Sequence, residues 1–150
     1  MSLPPLSIIR TRVRSWMVKI RRYYLVKCWD HDLGKDCEIS FTAKLDRTYP
    51  RGVHIGDETI VTFGAVILTH DGVNNRQLDT WIGKRCFIGP HSFIFPGVRI
   101  GDNSIVGAGS VVLGDVRPGS IVMGNPARVV GSGIETGPHG SKASALVEKV

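Results

Sequence analysis

The sequence predicts an all-β solenoid, a parallel β-helix of about four triangular coils with a basic amphipathic helix at its N-terminus. Three observations lead there. From Thr80 to Asp115 an aliphatic residue recurs every six positions, at Ile82, Ile88, Ile94, Ile100, Val106 and Val112. Two positions before each stands a small or β-branched residue: Thr80, Cys86, Ser92, Val98, Ser104 and Ser110. The first 29 residues hold seven bases and no acid, whereas the remainder sets twelve bases against thirteen acids.

The period dictates the architecture. Residues two apart on a strand share a face, so each aliphatic and its partner both point inward. The other positions turn a corner, where Gly97 or Asp102-Asn103 tolerates unusual dihedrals. A unit of six is too short for a strand and its return in a flat sheet. Three units close a triangular coil, and stacked coils supply strand pairing and a continuous core. The same register runs through Ile55, Val61 and Ile67, and a weaker copy occupies Leu33, Ile39 and Leu45. At roughly 4.8 Å per layer the prism is about 20 Å tall.

Two breaks interrupt the register. Residues 46–52 form a loop, and residues 73–79 bulge out directly after Thr69-His70-Asp71. Loops on a rigid scaffold are where sites are usually built.

In the N-terminal segment Ile9, Val13, Trp16, Ile20 and Tyr24 fall on one helical face, with Arg10, Arg14, Arg21 and Arg22 away from it. Such a helix can cap the open end of a solenoid, or attach to an anionic membrane surface, and the two are compatible. After Val130 glycine and serine predict a flexible tail. The organisation is therefore helix 1–30, solenoid 31–130 and tail 131–150.

The chain of 150 residues is the size of one domain. It has no apolar run long enough for a membrane span and no signal peptide, since Ile8-Ile9 runs straight into Arg10, Arg12 and Arg14. Cys28, Cys37 and Cys86 lack CxxC spacing and read as buried thiols in a reducing cytoplasm. The expected location is cytoplasmic, with peripheral attachment at the inner face of the membrane.

The segments IGPHSFIFPGVRIGDNSIVGAGSVV (Ile88–Val112) and GNPARVV (Gly124–Val130) resemble the hexapeptide-repeat acyltransferases. They are most similar to the small acetyltransferases that modify sugars of bacterial surface polysaccharides. The resemblance implies a left-handed coil, against the usual crossover hand. It also implies a homotrimer with sites shared between subunits, acetyl-CoA as donor, no metal and no nucleic-acid partner. The acceptor it implies is a sugar hydroxyl in O-antigen, capsule or exopolysaccharide synthesis, or alternatively the amine of an amino sugar on a nucleotide carrier.

Acetyl transfer needs a base, N–H donors for developing negative charge, and a means of holding two substrates together. A neutral imidazole suits the first task. Of the five histidines, His70 is the candidate base, because a loop follows it and Thr69-His70-Asp71 matches the family's catalytic segment. His91 is the alternative. Asp71 is a candidate to orient the base. Gly97, one layer beyond His70 at the same corner, is the candidate oxyanion donor, since Pro90 stands where some relatives place a donor and has no N–H. Asn74 and Asn75 in the bulge are the candidate acceptor contacts. By the same resemblance Gly107, Ala108 and Gly109 would lie against the pantetheine arm and Arg128 would meet a phosphate. Relatives often carry Thr-Lys where this chain has Leu113-Gly114, so some phosphate contacts differ. Two other readings compete. A γ-class carbonic anhydrase needs histidines spaced as metal ligands, and no HxxxxH exists here. A non-catalytic scaffold would have lost His70, its loop and GNPARVV.

Overall fold

A computed structural model describes residues 5–141. One helix, Pro5–Trp29, precedes three faces of short strands that wind around a common core. The first face holds Asp32–Leu33, Val53–Ile55, Thr80–Ile82 and Arg99–Ile100. The second holds Glu38–Ile39, Ile60–Val61, Phe87–Ile88, Ile105–Val106 and Ile121–Met123, all parallel, and then Arg128–Gly131, which runs antiparallel. The third holds Lys44–Leu45, Val66–Ile67, Phe93–Ile94 and Val111–Val112.

The six-residue period has become an inward column on each face. Leu33 pairs with Ile55, Ile55 with Ile82 and Ile82 with Ile100. Ile39, Val61, Ile88, Val106 and Val122 stack in the same way on the second face. Leu45, Ile67, Ile94 and Val112 do so on the third. All belong to one buried cluster, and Ile67, Ile88 and Ile94 are fully enclosed. Each such side chain contributes about 1.5–3 kcal/mol by leaving water.

Corners between the first and second faces require one residue per layer at positive φ: Asp36, Glu58, Arg85, Asn103 and Gly119. Aspartates hold these turns from the next layer up, with the Lys35 amide donating to Asp57 and the Lys84 amide to Asp102, both at 2.8 Å.

The helix packs by a different face from the one its apolar periodicity suggests. Arg21 donates to the Ala43 carbonyl at 2.7 Å, and Arg22 to the carbonyls of Gly34 at 2.8 Å and Leu33 at 3.1 Å. Leu25 is buried beside them, while Val26 and Trp29 pack against the core cluster. Val13, Trp16, Ile20 and Tyr24 are exposed. Backbone carbonyls at the open end of the first coil are stronger claimants on this helix than its own apolar side chains, because an unpartnered carbonyl costs more than an exposed ring. The side chains of Ile9 and Arg10 lie outside those described.

The tail also departs from expectation. Residues 131–141 run back along the first corner instead of leaving the fold. The Ile134 amide donates to Gly119 O at 3.0 Å, Thr136 Oγ1 donates to Arg85 O, and the His139 amide donates to Glu58 O at 2.8 Å. Ile134 and Thr136 are buried. Glycine-rich sequence here serves close passage over a corner, and the rest of the expected tail, 142–150, lies outside the described residues.

Two substitutions test this frame by urea unfolding. Ile88→Ala should cost about 2–5 kcal/mol, the usual cost of a buried aliphatic truncation. Arg22→Ala, which strips two carbonyls of their donor, should cost about 1–3 kcal/mol. An Ile88→Ala chain as stable as the parent would contradict the packed column.

Candidate active site

The third corner is where the coil opens. Its second layer does not turn directly into the next strand but leaves as a hairpin arm, His70–Asp71 paired antiparallel with Arg76–Gln77. The Leu78 amide donates to Thr69 O at 2.8 Å and closes the arm at its base. The imidazole of His70 is half-buried and lies against Gly72. Neither of its ring nitrogens has a hydrogen-bond partner among the described residues, so a lone pair is free to take a proton.

What positions His70 is Asp46, a residue absent from the sequence-level candidates. Its Oδ2 accepts from the amides of Thr69 at 2.9 Å and His70 at 3.0 Å, while Oδ1 accepts from Thr48 at 2.7 Å. Burial pushes the Asp46 carboxyl up, but amide donors from Thr69, Thr48, His70 and Tyr49 outweigh it and hold its pKa below the usual range. The signal available in the sequence was an acid opening the 46–52 break, one layer below the segment Thr69-His70-Asp71 that leads into the 73–79 break. Thr69 Oγ1 adds a bond of 2.6 Å to Tyr49 O, so the two breaks are tied together.

The other candidates divide. Asp71 does not meet His70. Its Oδ1 accepts from the amides of Val73 at 3.0 Å and Asn74 at 3.2 Å, and its Oδ2 from the Asn74 side chain at 2.6 Å. The Asn74 side chain, with its amide, holds the Asp71 carboxyl below the usual range. Asp71 and Asn74 thus shape the arm, and Asn75 takes its turn position at φ 48° with its side chain exposed. Gly97 does sit one layer beyond His70, at φ 83°, under Leu78. Its amide, however, donates to Thr80 Oγ1 at 3.1 Å and is turned inward, not toward the base. The donor assigned to it at the sequence level is therefore already engaged.

His91 lies on the second corner at φ 55°, with its ring against Gly64 and edge-on to Phe63. His31 is buried and donates from Nδ1 to Pro50 O at 3.0 Å; burial first of all lowers its pKa. His54 stacks on Trp81 with ring centroids 3.7 Å apart and meets Asp32 at 2.9 Å. Among the thiols Cys37 and Cys86 are buried, and burial pushes Cys86 up to about 11, whereas Cys28 is exposed, unlike the sequence reading.

Gly107, Ala108 and Gly109 form the second corner of the fourth layer. Gly107 is covered by Met123, but Ala108 is exposed and nothing would meet a Cβ on Gly109, whose φ is 67°. Backbone is therefore open to a slender chain passing this corner. Arg128 opens the antiparallel strand above, in register with Met123, and its exposed guanidinium donates, among the described residues, to the adjacent Ala127 carbonyl. Met123 thus lies between Gly107 and Arg128. They occupy a different edge of the prism from His70.

Residues 79–114 match the family model described as bacterial transferase hexapeptide (six repeats). A Bacillus subtilis (strain 168) protein named for acetyltransferase activity, YvoF, is 28% identical over 137 residues, 86% of this chain and 80% of that one. The galactoside O-acetyltransferase of Escherichia coli (strain K12) is 51% identical over 107 residues, 65% of this chain; the chain spans about half of that relative, 52%. Among solved structures, a hexapeptide-repeat acetyltransferase of Vibrio cholerae O1 biovar eltor complexed with acetyl coenzyme A superposes with a TM-score of 0.59 at 29% identity, covering 67% of this chain and 58% of that one. Repeat and neighbour together imply the left-handed β-helix.

Removing the Asp46 charge tests its structural part. A depressed carboxyl stabilises the fold fully above the ordinary aspartate pKa of about 4 and loses that contribution as pH falls through its lower folded value. Asp46→Asn should lower the melting temperature at neutral pH and flatten its decline below about pH 4. A parent-like melting curve across that window would remove Asp46 from this role.

Proposed function

We propose that this member of the hexapeptide-repeat acyltransferases moves an acetyl group from acetyl-CoA to a sugar hydroxyl in the assembly of bacterial surface polysaccharide. The observation that carries the reading is His70: an imidazole with free ring nitrogens, at the root of an arm that leaves the solenoid, its backbone clamped by a carboxylate. The relatives named for acetyl transfer, one of them to galactosides, support the donor and the class of acceptor.

In this reading acetyl-CoA, when bound, supplies an acyl carbon already activated as a thioester. Gly107, Ala108 and Gly109 let its arm approach the backbone, and Arg128 meets a phosphate. His70 takes the proton of the acceptor hydroxyl as that oxygen bonds to the acyl carbon, and returns it to the sulfur as the carbon–sulfur bond breaks, so the base must start neutral. The arm 70–77, with Asn75 at its tip, lines the acceptor side.

Because His70 and the Gly107–Gly109 corner lie on different edges, a second copy is the natural bridge between them. Large apolar side chains on and beside the third face support this: Phe93, Phe95, Phe63 and Leu113 are all exposed. A homotrimer fits the reading, and light scattering should return three times the 16.4 kDa chain mass. A monomer at micromolar concentration would count against a shared site.

The central test is His70→Asn. Turnover with a sugar acceptor should fall about a hundred-fold or more, while acetyl-CoA affinity and thermal midpoint hold. His91→Ala should keep near-parent turnover. Full activity in His70→Asn, or loss in His91→Ala alone, would move the base to the other corner.

A further inference from the structure

We infer that the N-terminal helix has two separate jobs, and that its outward face docks on an anionic lipid surface while its inward face caps the solenoid. The inference is independent of the acetyl-transfer reading.

The helix carries two sets of apolar side chains, one packed on the first coil and a larger one left exposed. At 100° per residue, Arg21, Arg22, Leu25 and Trp29 lie on one side and meet the first coil. Val13, Trp16, Met17, Ile20, Tyr23 and Tyr24 lie on the other. Trp16 is 67% exposed, Tyr23 66%, Val13 50% and Ile20 46%. A contiguous stripe of this kind on a helix held rigidly by three arginine–carbonyl contacts is not an incidental surface residue or two.

Its chemistry selects the occupant. The first 29 residues carry seven bases and no acid. Two of these, Arg21 and Arg22, are spent on the cap; Arg12, Lys19 and Lys27 are exposed beside the stripe and form no ion pair among the described residues. A second copy of the same stripe would bring like charges together without relief. An anionic bilayer supplies what the face lacks: apolar depth for Trp16 and Ile20, an interfacial layer suited to tyrosine and tryptophan, and negative headgroups for the flanking bases. No helix among the described residues is long and apolar enough to cross a membrane, so the contact is with the surface.

The test is co-sedimentation of the full chain with vesicles of phosphatidylcholine alone and of phosphatidylcholine with phosphatidylserine. Binding to the anionic vesicles only, weakening with salt, is the expected result. Trp16→Ala with Ile20→Ala should reduce it about tenfold or more. Arg12→Gln, Lys19→Gln and Lys27→Gln together should reduce it by about a hundred-fold, at roughly fivefold for each basic side chain. Both variants should keep the parent's thermal midpoint and solution mass, since these side chains are exposed and make no hydrogen bond or ion pair to the solenoid among the described residues. Equal binding to neutral vesicles, or parent-like binding by the Trp16/Ile20 variant, would overturn the inference. So would a change in solution mass in that variant, which would assign the stripe to contact between copies.

Discussion

Everything in this molecule follows from hydrogen bonds exchanged between successive coils. Amides of Gly34, Gly56 and Gly83 donate forward to Ile55, Ile82 and Ile100, while amides of Glu58, Arg85 and Asn103 donate back to Lys35, Asp57 and Lys84. Such a stack satisfies its own backbone everywhere except on the outer sides of its first and last coils, where no further coil follows. At the first coil the guanidinium groups of Arg21 and Arg22 donate to carbonyls of Ala43, Leu33 and Gly34. At the last, Arg128–Gly131 reverses direction and pairs with Ile121–Met123. The basic helix and the GNPARVV segment are thus answers to one problem.

The same exchange explains how the two breaks are tied down. Along the first corner the amides are claimed by adjacent layers, as Gly56 is by Ile82 and Arg85 by Asp57. Where the winding breaks, at 46–52 and again at the arm 70–77, that exchange lapses. Asp46 then accepts from the amides of Thr69 and His70. His70 is anchored in this way while standing outside the three faces.

The columns of the core were legible because a period of six admits few alternatives. Ile82, Ile88 and Ile94 each reach a different face, and the pairings follow. That an arm leaves the solenoid at His70 was legible from the break beside it. The hydrogen bonds of Asp71 to Asn74 and of Gly97 to Thr80 were not, for a common reason. Short polar side chains and glycine at a turn satisfy local needs first, and adjacency along the chain says nothing about which group a carboxylate or amide actually faces. The helix was legible as an element, but the face by which it packs was not. Its apolar periodicity was real, but periodicity shows that a face exists, not which partner takes it. The competing claim of orphan carbonyls at the coil end appears only once the coil is built. Residues 131–141 were misread because glycine content signals close approach as readily as freedom.

That last segment changes how the solenoid holds together. A stack of coils joined only to adjacent coils behaves as a one-dimensional chain of couplings and can fray inward from either end. Here the returning strand touches Gly119, Asn103, Arg85 and Glu58 in succession, one in each of four layers. It therefore works as a lengthwise splint. It bears on the fifth layer and the second at once, so opening the last layer strains contacts three layers away. Coupling in this solenoid thus spans four layers together and is not confined to neighbouring pairs.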